Sequence, residues 1–247
     1  MVRTRTWFMI PFVIGGIFET VGYVGRAMNA SQAPEPYLLG PYIVQSLLLL
    51  LGPALFAASI YMELGRIVLM VKREKALPIR RKWLTLIFVI GDVFSFSVQA
   101  AGGGLMSSGE FELLNPGENI IVGGLLFQIV WFGLFVTAAV IFHVRLSKSP
   151  TQLLYERPWT KHMISLYIVS VLIFVRSVVR CIGDVQGNAG YIMSHEAFLY
   201  VFDGALMFLA VITMNVIHPG EVAKHVRELR SYSKELEDSA RTDNAYH

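Results

Sequence analysis

Two polar side chains interrupt the apolar stretch from Phe88 to Leu105. This stretch is apolar enough to cross a bilayer, yet it carries Asp92 and Gln99. The two residues are seven positions apart, which is two helical turns, so they lie on the same face of a helix. Because a carboxylate in hydrocarbon is costly, that face should turn toward a protein interior or a wet cavity. The pair predicts a polar site inside a membrane domain.

Further polar residues occur in the other apolar stretches, at depths that we expect to match. With a rise of about 1.5 Å per residue, most of the charged ones fall in the outer half of the bilayer. Arg176 and Arg180 are four positions apart and share a helix face. We therefore predict a polar cavity that binds a substrate and is lined by Glu19, Tyr23, Gln45, Asp92, Gln99, Gln128, Arg176, Arg180 and Asp203.

This predicted cavity has two interpretations. It could hold the head group of an amphipathic molecule while the tail stays in lipid, since charged side chains inside membranes usually serve a function. Alternatively, the same residues form structural ion pairs, such as Arg176 with Asp203 or with Glu19, that keep helices in register. Near the inner end of another helix, Glu63 and Arg66 are interpreted as an interfacial pair.

The composition indicates an integral membrane protein without a sizeable soluble domain. The 247 residues are 54% hydrophobic and only 16% charged, and the mean hydropathy is +0.54. A soluble domain would contain about a quarter charged residues. The basic residues flank the apolar stretches, so nucleic-acid binding is not expected.

The fold class follows from the length of the apolar stretches. Each contains about 20 residues or more, enough to cross a hydrocarbon core of about 30 Å as a helix. We predict an all-α polytopic transmembrane bundle in residues 1–220 and a polar cytoplasmic tail in residues 221–247. The six predicted spans are residues 7–28, 42–70, 84–106, 119–143, 162–182 and 197–217.

The loops between these spans predict the orientation. The second and fourth loops are rich in Lys and Arg, whereas the third and fifth carry acidic residues and no basic ones. Since basic loops stay in the cytoplasm, both termini are predicted to be cytoplasmic. Asn29 begins a glycosylation sequon on the predicted outer side.

Several classes of chemistry lack their sequence signatures. His143 and His218 are predicted at the inner surface and His195 at the outer one, so they cannot converge on a metal. A Walker-type phosphate loop and a GxSxG nucleophile elbow are both missing from the sequence. We therefore expect no catalytic residues, no metal and no cofactor.

Six segments together resemble the fungal RTA-like family, the lipid-translocating exporters. They occur in the family's order and cover almost the whole chain: FETVGYVGR at 18–26, PYIVQSLLLLLGPALFAASIYM at 41–62, GDVFSFSVQAAGGGL at 91–105, RSVVRCIGDVQG at 176–187, SHEAFLYVFD at 194–203 and NVIHPGE at 215–221. The resemblance implies that ten polar residues belong to family motifs: Glu19, Gln45, Asp92, Gln99, Gln128, Arg176, Arg180, Asp184, Glu196 and Asp203. Relatives usually have seven spans, so the resemblance also implies that a first span is missing from this chain.

The resemblance implies a function in moving lipids or amphipathic compounds. We expect a plasma-membrane translocator or exporter of sphingoid-base-like or sterol-like molecules, which would contribute to lipid asymmetry and to resistance to toxic compounds. Membrane lipids or amphiphilic small molecules would be its partners. Two alternatives are a receptor-like lipid sensor in stress signalling and a porphyrin or haem transporter.

Overall fold

The described part of the chain is helical throughout, apart from short turns. A computed structural model describes residues 9–31, 39–71, 73–107, 111–148, 159–186 and 200–217, and single tail positions 220, 222–223, 225, 227 and 231. The helices are α1 (Ile10–Ser31), α2 (Leu39–Val71), α3 (Arg81–Met106), α4 (Phe111–Ser147), α5 (Trp159–Gln186) and α6 (Leu206–Val216). A π-helical turn, Tyr200–Ala205, leads into α6. The predicted all-α bundle is confirmed.

The helices pack mainly with their neighbours along the chain, and α5 also packs against α2. Glycines allow the closest approaches. A Cβ atom at Gly22 of α1 would lie 2.7 Å from Cγ of Leu49 in α2. One at Gly102 of α3 would lie 2.7 Å from the carbonyl oxygen of Gly117 in α4. Small residues of this kind let membrane helices approach each other, where van der Waals packing holds them together.

The bundle is apolar both inside and outside. Tyr61 and Phe135 lie at its centre with their ring centroids 4.5 Å apart, and both side chains are fully buried. Outward-facing residues are also apolar, such as Val130 at 64% and Phe208 at 66% exposure. An exposed surface of this kind suits lipid and would be a liability in water.

Four helical segments are long and apolar enough to cross a membrane: Gln45–Val71, Trp83–Met106, Glu112–Ser147 and Trp159–Gln186. A shorter apolar segment covers Val201–Val216; the sixth predicted span begins before it, at a position outside the described residues. Helix α1 has 22 residues and carries Glu19 near its middle.

Two boundaries differ from those predicted. Helix α4 begins at Phe111, so Glu112 and Glu118, which we assigned to a loop, are helical. At the other end, the first described tail residues are not solvated, because Val222 and Ala223 are buried in the hydrophobic core. Counting polar residues along the sequence could not predict where α4 begins or that Val222 and Ala223 are buried, because both depend on the packing of neighbouring helices.

Candidate functional site

Four of the predicted site residues form one buried cluster, which we call the Arg176 cluster: Glu19 and Tyr23 of α1, Arg176 of α5 and Asp203 of the π-helical turn. The Tyr23 hydroxyl donates a hydrogen bond of 2.7 Å to Oδ2 of Asp203. Nε of Arg176 forms an ion pair with Oδ1 of the same carboxylate. Nη2 of Arg176 lies 3.9 Å from Oε1 of Glu19. Residues 184 positions apart in sequence thus meet in one site.

A proline in α2 supplies the cluster's backbone acceptor. Pro53 lies inside α2 and has no N–H, so the carbonyl of Leu49, four residues earlier, cannot receive its helical hydrogen bond. Nη2 of Arg176 donates a hydrogen bond of 2.6 Å to that carbonyl. The guanidinium therefore satisfies a backbone group that the proline leaves open, which matters in a membrane because water is not available to do so.

Glu19 is the acidic group of the cluster that keeps open acceptor positions. Its side chain is buried, and neither carboxylate oxygen receives a hydrogen bond from any described residue. Gly52 of α2 makes room for it, because a Cβ there would lie 2.7 Å from Oε1. The carboxylate can therefore accept hydrogen bonds from a group that enters the site.

The π-helical turn contributes Asp203 to the cluster. Such turns add a residue to a helix and are frequent at functional sites. The next residue, Gly204, allows Tyr23 to approach, since a Cβ at Gly204 would lie 3.2 Å from the Tyr23 hydroxyl. The turn thus positions both a carboxylate and a gap for its phenol partner.

A cavity of about 780 Å³ adjoins the cluster and runs between α1, α2 and α6. Glu19, Thr20 and Tyr23 are polar groups on its wall, and most of the remaining wall is apolar. Ile17, Val21 and Phe208 lie on its rim and are more than half exposed on the outer surface of the bundle. The cavity therefore opens sideways, toward the lipid that surrounds a membrane bundle.

Two other predicted site residues lie on the same helices as the cluster. Gln45 of α2 is buried and faces α1, with Oε1 3.8 Å from where a Cβ of Gly25 would be. Nε of Arg180 lies 3.4 Å from Oδ2 of Asp184, one helical turn later on α5. Arg180 therefore has an acidic partner on its own helix.

The remaining three predicted site residues contact groups at other helix interfaces. The Tyr61 hydroxyl of α2 donates a hydrogen bond of 2.9 Å to Oδ2 of Asp92 in α3. Nε2 of Gln99 contacts the Ser95 hydroxyl at 2.8 Å and Oε1 of Gln128 at 3.1 Å, which joins α3 to α4. The polar residues predicted to line one cavity are thus divided among several interfaces.

Two predicted positions lie outside what the structure describes. The side chain of Asn29, which begins the glycosylation sequon, is one of them. Glu196, a position named by the family resemblance, is the other. Both stay predictions.

The structure also contains a polar pair that the sequence did not suggest. Glu63 of α2 is completely buried, whereas we assigned it to the membrane interface. Its Oε1 lies 3.8 Å from Nδ1 of His162 in α5, which is also completely buried. Depth along a helix could not reveal this pair, because burial depends on the facing helix.

The described residues contain no group of three or more His, Cys, Asp or Glu side chains that could hold a metal ion. Cys181 is a free, buried thiol. The Arg176 cluster itself offers ion pairing and hydrogen bonding.

Comparison with known proteins identifies the family. The sequence model described as "RTA1 like protein" matches residues 12–225. The chain belongs to the RTA1-like family. Protoporphyrin uptake protein 1 of Saccharomyces cerevisiae is 43% identical over 87% of this chain and 70% of that protein. Protein RTA1 of the same yeast is 38% identical over 95% of this chain and 72% of that protein.

A more distant relative of this RTA1-like chain is the sphingoid long-chain base transporter RSB1 of Saccharomyces cerevisiae, which is 25% identical over 89% of this chain and 66% of that protein. No solved structure matches the chain. The predicted family is confirmed, and the RTA1-like family match together with the apolar helices makes this an integral membrane protein.

Proposed function

We propose that this protein moves amphipathic molecules with a cationic head group and a hydrocarbon tail across the plasma membrane, as a translocator or exporter. The observation that carries the proposal is a buried carboxylate, Glu19, with open acceptor positions beside a largely apolar cavity. Glu19 accepts no hydrogen bond from a described residue and lies 3.9 Å from Nη2 of Arg176, so a cationic ligand would offset part of the cost of burying its charge.

The two parts of the cavity suit the two parts of such a molecule. An ammonium head group would donate hydrogen bonds to Glu19, while Arg176, held by Asp203 and the Leu49 carbonyl, stays in place beside it. The tail would lie along Phe12, Val13 and Met207 and leave through the gap between α1 and α6. The apolar wall accepts a chain without a precise shape, so hydrocarbon tails of different lengths are tolerated.

The names of two relatives support amphipathic cargo in general. Their names concern a porphyrin and a sphingoid long-chain base, both of which combine polar and apolar parts. A porphyrin carries carboxylates, which would be repelled by Glu19, whereas a sphingoid base carries an amine. We therefore favour the cationic amphiphile as cargo, with lipid asymmetry and resistance to toxic amphiphiles as the consequences.

The orientation is part of the proposal. The loop between α2 and α3 and the loop between α4 and α5 contain the excess of basic residues, and basic loops remain in the cytoplasm. We place the bundle in residues 1–220 and a cytoplasmic tail in residues 221–247.

Efflux of a labelled sphingoid base from cells that express the chain tests the proposal. Glu19→Gln keeps the shape of the side chain and removes its charge, so we expect at least a tenfold loss of efflux at matched surface expression. Glu112→Gln, at an exposed carboxylate of α4, is the control and should leave efflux unchanged. Equal efflux by the parent and Glu19→Gln would refute this assignment of the site. Binding without any flux would favour the lipid-sensor alternative.

A further inference from the structure

The buried pair Glu63 and His162 takes no part in the proposed cargo site. It joins α2 to α5, with Oε1 of Glu63 3.8 Å from Nδ1 of His162. Both side chains are completely excluded from solvent, and no described residue donates a hydrogen bond to the Glu63 carboxylate. Ionisable groups placed in this way inside a membrane bundle are typical of proton pathways.

The charge of the pair depends on one proton. With one proton shared between carboxyl and imidazole, the pair has no net charge, either as acid with neutral imidazole or as carboxylate with imidazolium. Loss of that proton leaves a lone carboxylate in an apolar core, and a buried charge without a partner is strongly unfavourable. The packed arrangement of α2 and α5 therefore favours the pair with one proton.

The described elements packed around the pair carry further ionisable groups. Residues Leu206–Val216 of α6 include no ionisable side chain. The ionisable groups of the other elements packed around the pair include Tyr61 and Arg66 on α2, Arg81 on α3, His143 and Arg145 on α4, and Lys161 and Tyr167 on α5. Most of these groups contact another group or solvent. Tyr61 contacts Asp92, and Arg81 contacts Glu74. Arg145 contacts the Ala76 carbonyl, Tyr167 contacts His143, and Lys161 is exposed. Half-buried Arg66, one turn after Glu63, is the charged neighbour on the same helix.

The pair shares its two helices with the Arg176 cluster. Leu49 and Glu63 are fourteen residues apart on α2, and His162 and Arg176 are fourteen residues apart on α5. The two polar contacts, Leu49 with Arg176 and Glu63 with His162, therefore lie about 21 Å apart along antiparallel helices. Because both contacts join α2 to α5, a change in the packing of these two helices would affect both.

We propose that Glu63 and His162 form a proton-binding site that couples proton movement to cargo movement, an inference that rests on the proposed function. The bound proton leaves the pair to the water on the side where α2 and α5 separate. After the helices have closed on that side and separated on the other, where the cargo leaves, the pair takes up its next proton from the other side. One proton is exchanged for each cationic molecule, so the cycle conserves charge.

Infrared difference spectra of the purified full chain test proton binding without any cargo. Between acidic and alkaline samples we expect a carboxylic-acid signal that Glu63→Gln removes. The matched control, Glu74→Gln, changes an exposed carboxylate and should keep the signal. If Glu63→Gln does not yield folded, monodisperse protein, His162→Gln is used, and it should shift the pH at which the signal appears. A spectrum unaffected by either variant refutes the proton-binding site.

Flux in proteoliposomes tests the coupling. The probe is a labelled long-chain alkylguanidinium, and the membrane potential is clamped. Its head group stays charged over the pH range used, which prevents pH-driven partition of the probe, and its N–H groups can donate hydrogen bonds to Glu19. One pH unit across the membrane should change the steady-state accumulation of the probe up to tenfold, since one unit is about 1.36 kcal/mol per proton. Glu63→Gln should abolish this dependence yet keep equilibrium binding of the probe.

The two proposals fail separately in these measurements. Unchanged gradient dependence in Glu63→Gln, with probe binding lost in Glu19→Gln, refutes the coupling and leaves the cargo site standing. A wild-type protein that neither binds nor moves the probe, but shows the Glu63-dependent infrared signal, refutes the cargo assignment and leaves the proton-binding site standing.

Discussion

Arg176 is the residue on which the candidate site depends. Its guanidinium contacts two carboxylates and a backbone carbonyl from three other elements, and its side chain is buried. The planar fork of an arginine can serve several acceptors in fixed directions, which a lysine cannot. Asp203 and the Leu49 carbonyl occupy that fork closely, so Glu19, at 3.9 Å, is the more weakly held carboxylate.

Gly52→Ala should displace the Glu19 carboxylate without altering any charge. The new Cβ would lie 2.7 Å from Oε1 and 2.8 Å from Cγ of Glu19, so the side chain must move. We expect probe binding to fall about tenfold and unfolding to become easier by about 1–3 kcal/mol, as for other overpacked sites.

Equilibrium binding and thermal unfolding in detergent measure these two effects. Gly123→Ala is the control, since a Cβ at Gly123 meets nothing within 4 Å. Full binding by Gly52→Ala would show that the position of Glu19 does not determine head-group binding.

At the scale of elements, irregular points in helices build the site. Pro53 opens a carbonyl in the middle of α2, and the π-helical turn before α6 places Asp203. Regular helices would pair both backbone segments internally and present different side chains to the cluster. The site thus lies where two helices depart from regular geometry.

A double-mutant cycle tests the link between Pro53 and Arg176. Arg176→Met leaves Glu19, Asp203 and the Leu49 carbonyl without their partner and should cost about 3–5 kcal/mol. In the Pro53→Ala background, an N–H at position 53 can bond the Leu49 carbonyl, so the same substitution should cost about 1 kcal/mol less.

The free energies of unfolding of the four proteins in the cycle, measured by thermal denaturation in detergent, give the coupling energy. Strictly additive costs would contradict the assignment of the Leu49 carbonyl as an acceptor that Arg176 completes.

At the scale of the whole molecule, the bundle has a lateral opening. The cavity beside Glu19 is bordered by α1 and α6, and its rim side chains lie on the surface that faces lipid. The opening therefore lies where the proposed function needs a route for a hydrocarbon tail from the membrane.

Val211→Trp should narrow that opening. Val211 is half-buried on the cavity wall, so an indole there fills space that a tail would use. We expect flux of a long-chain cationic amphiphile to fall about tenfold, with a smaller loss for a short-chain analogue.

The matched control is Val216→Trp on the same helix. Val216 is 77% exposed and does not line the cavity. Equal flux by all three proteins, measured at matched amounts in proteoliposomes, would exclude this opening as the route of the tail.

The sequence alone determined the class of protein, its helices and its family. Apolar stretches long enough to cross a bilayer are expected to be helical in lipid, because a helix forms all its backbone hydrogen bonds within itself. Charged residues in those stretches stand out against the composition, which is why Glu19, Arg176 and Asp203 were found without a structure. The family motifs reached the same residues independently, and the family match confirmed the resemblance.

The tertiary structure decided the partners of those polar residues that the sequence had not paired. Asp92 and Glu19 were expected in one cavity, yet Asp92 is bonded to Tyr61, and Glu19 lies with Arg176. Glu63 seemed interfacial from its depth, but α5 covers it completely and places His162 beside it. Sequence specifies depth along each helix, whereas rotation about the helix axis and the choice of neighbour depend on packing across the whole bundle. The sequence therefore suggested the pairs of Arg176 with Asp203 and with Glu19, whereas the partners of Asp92 and Glu63 depended on the structure.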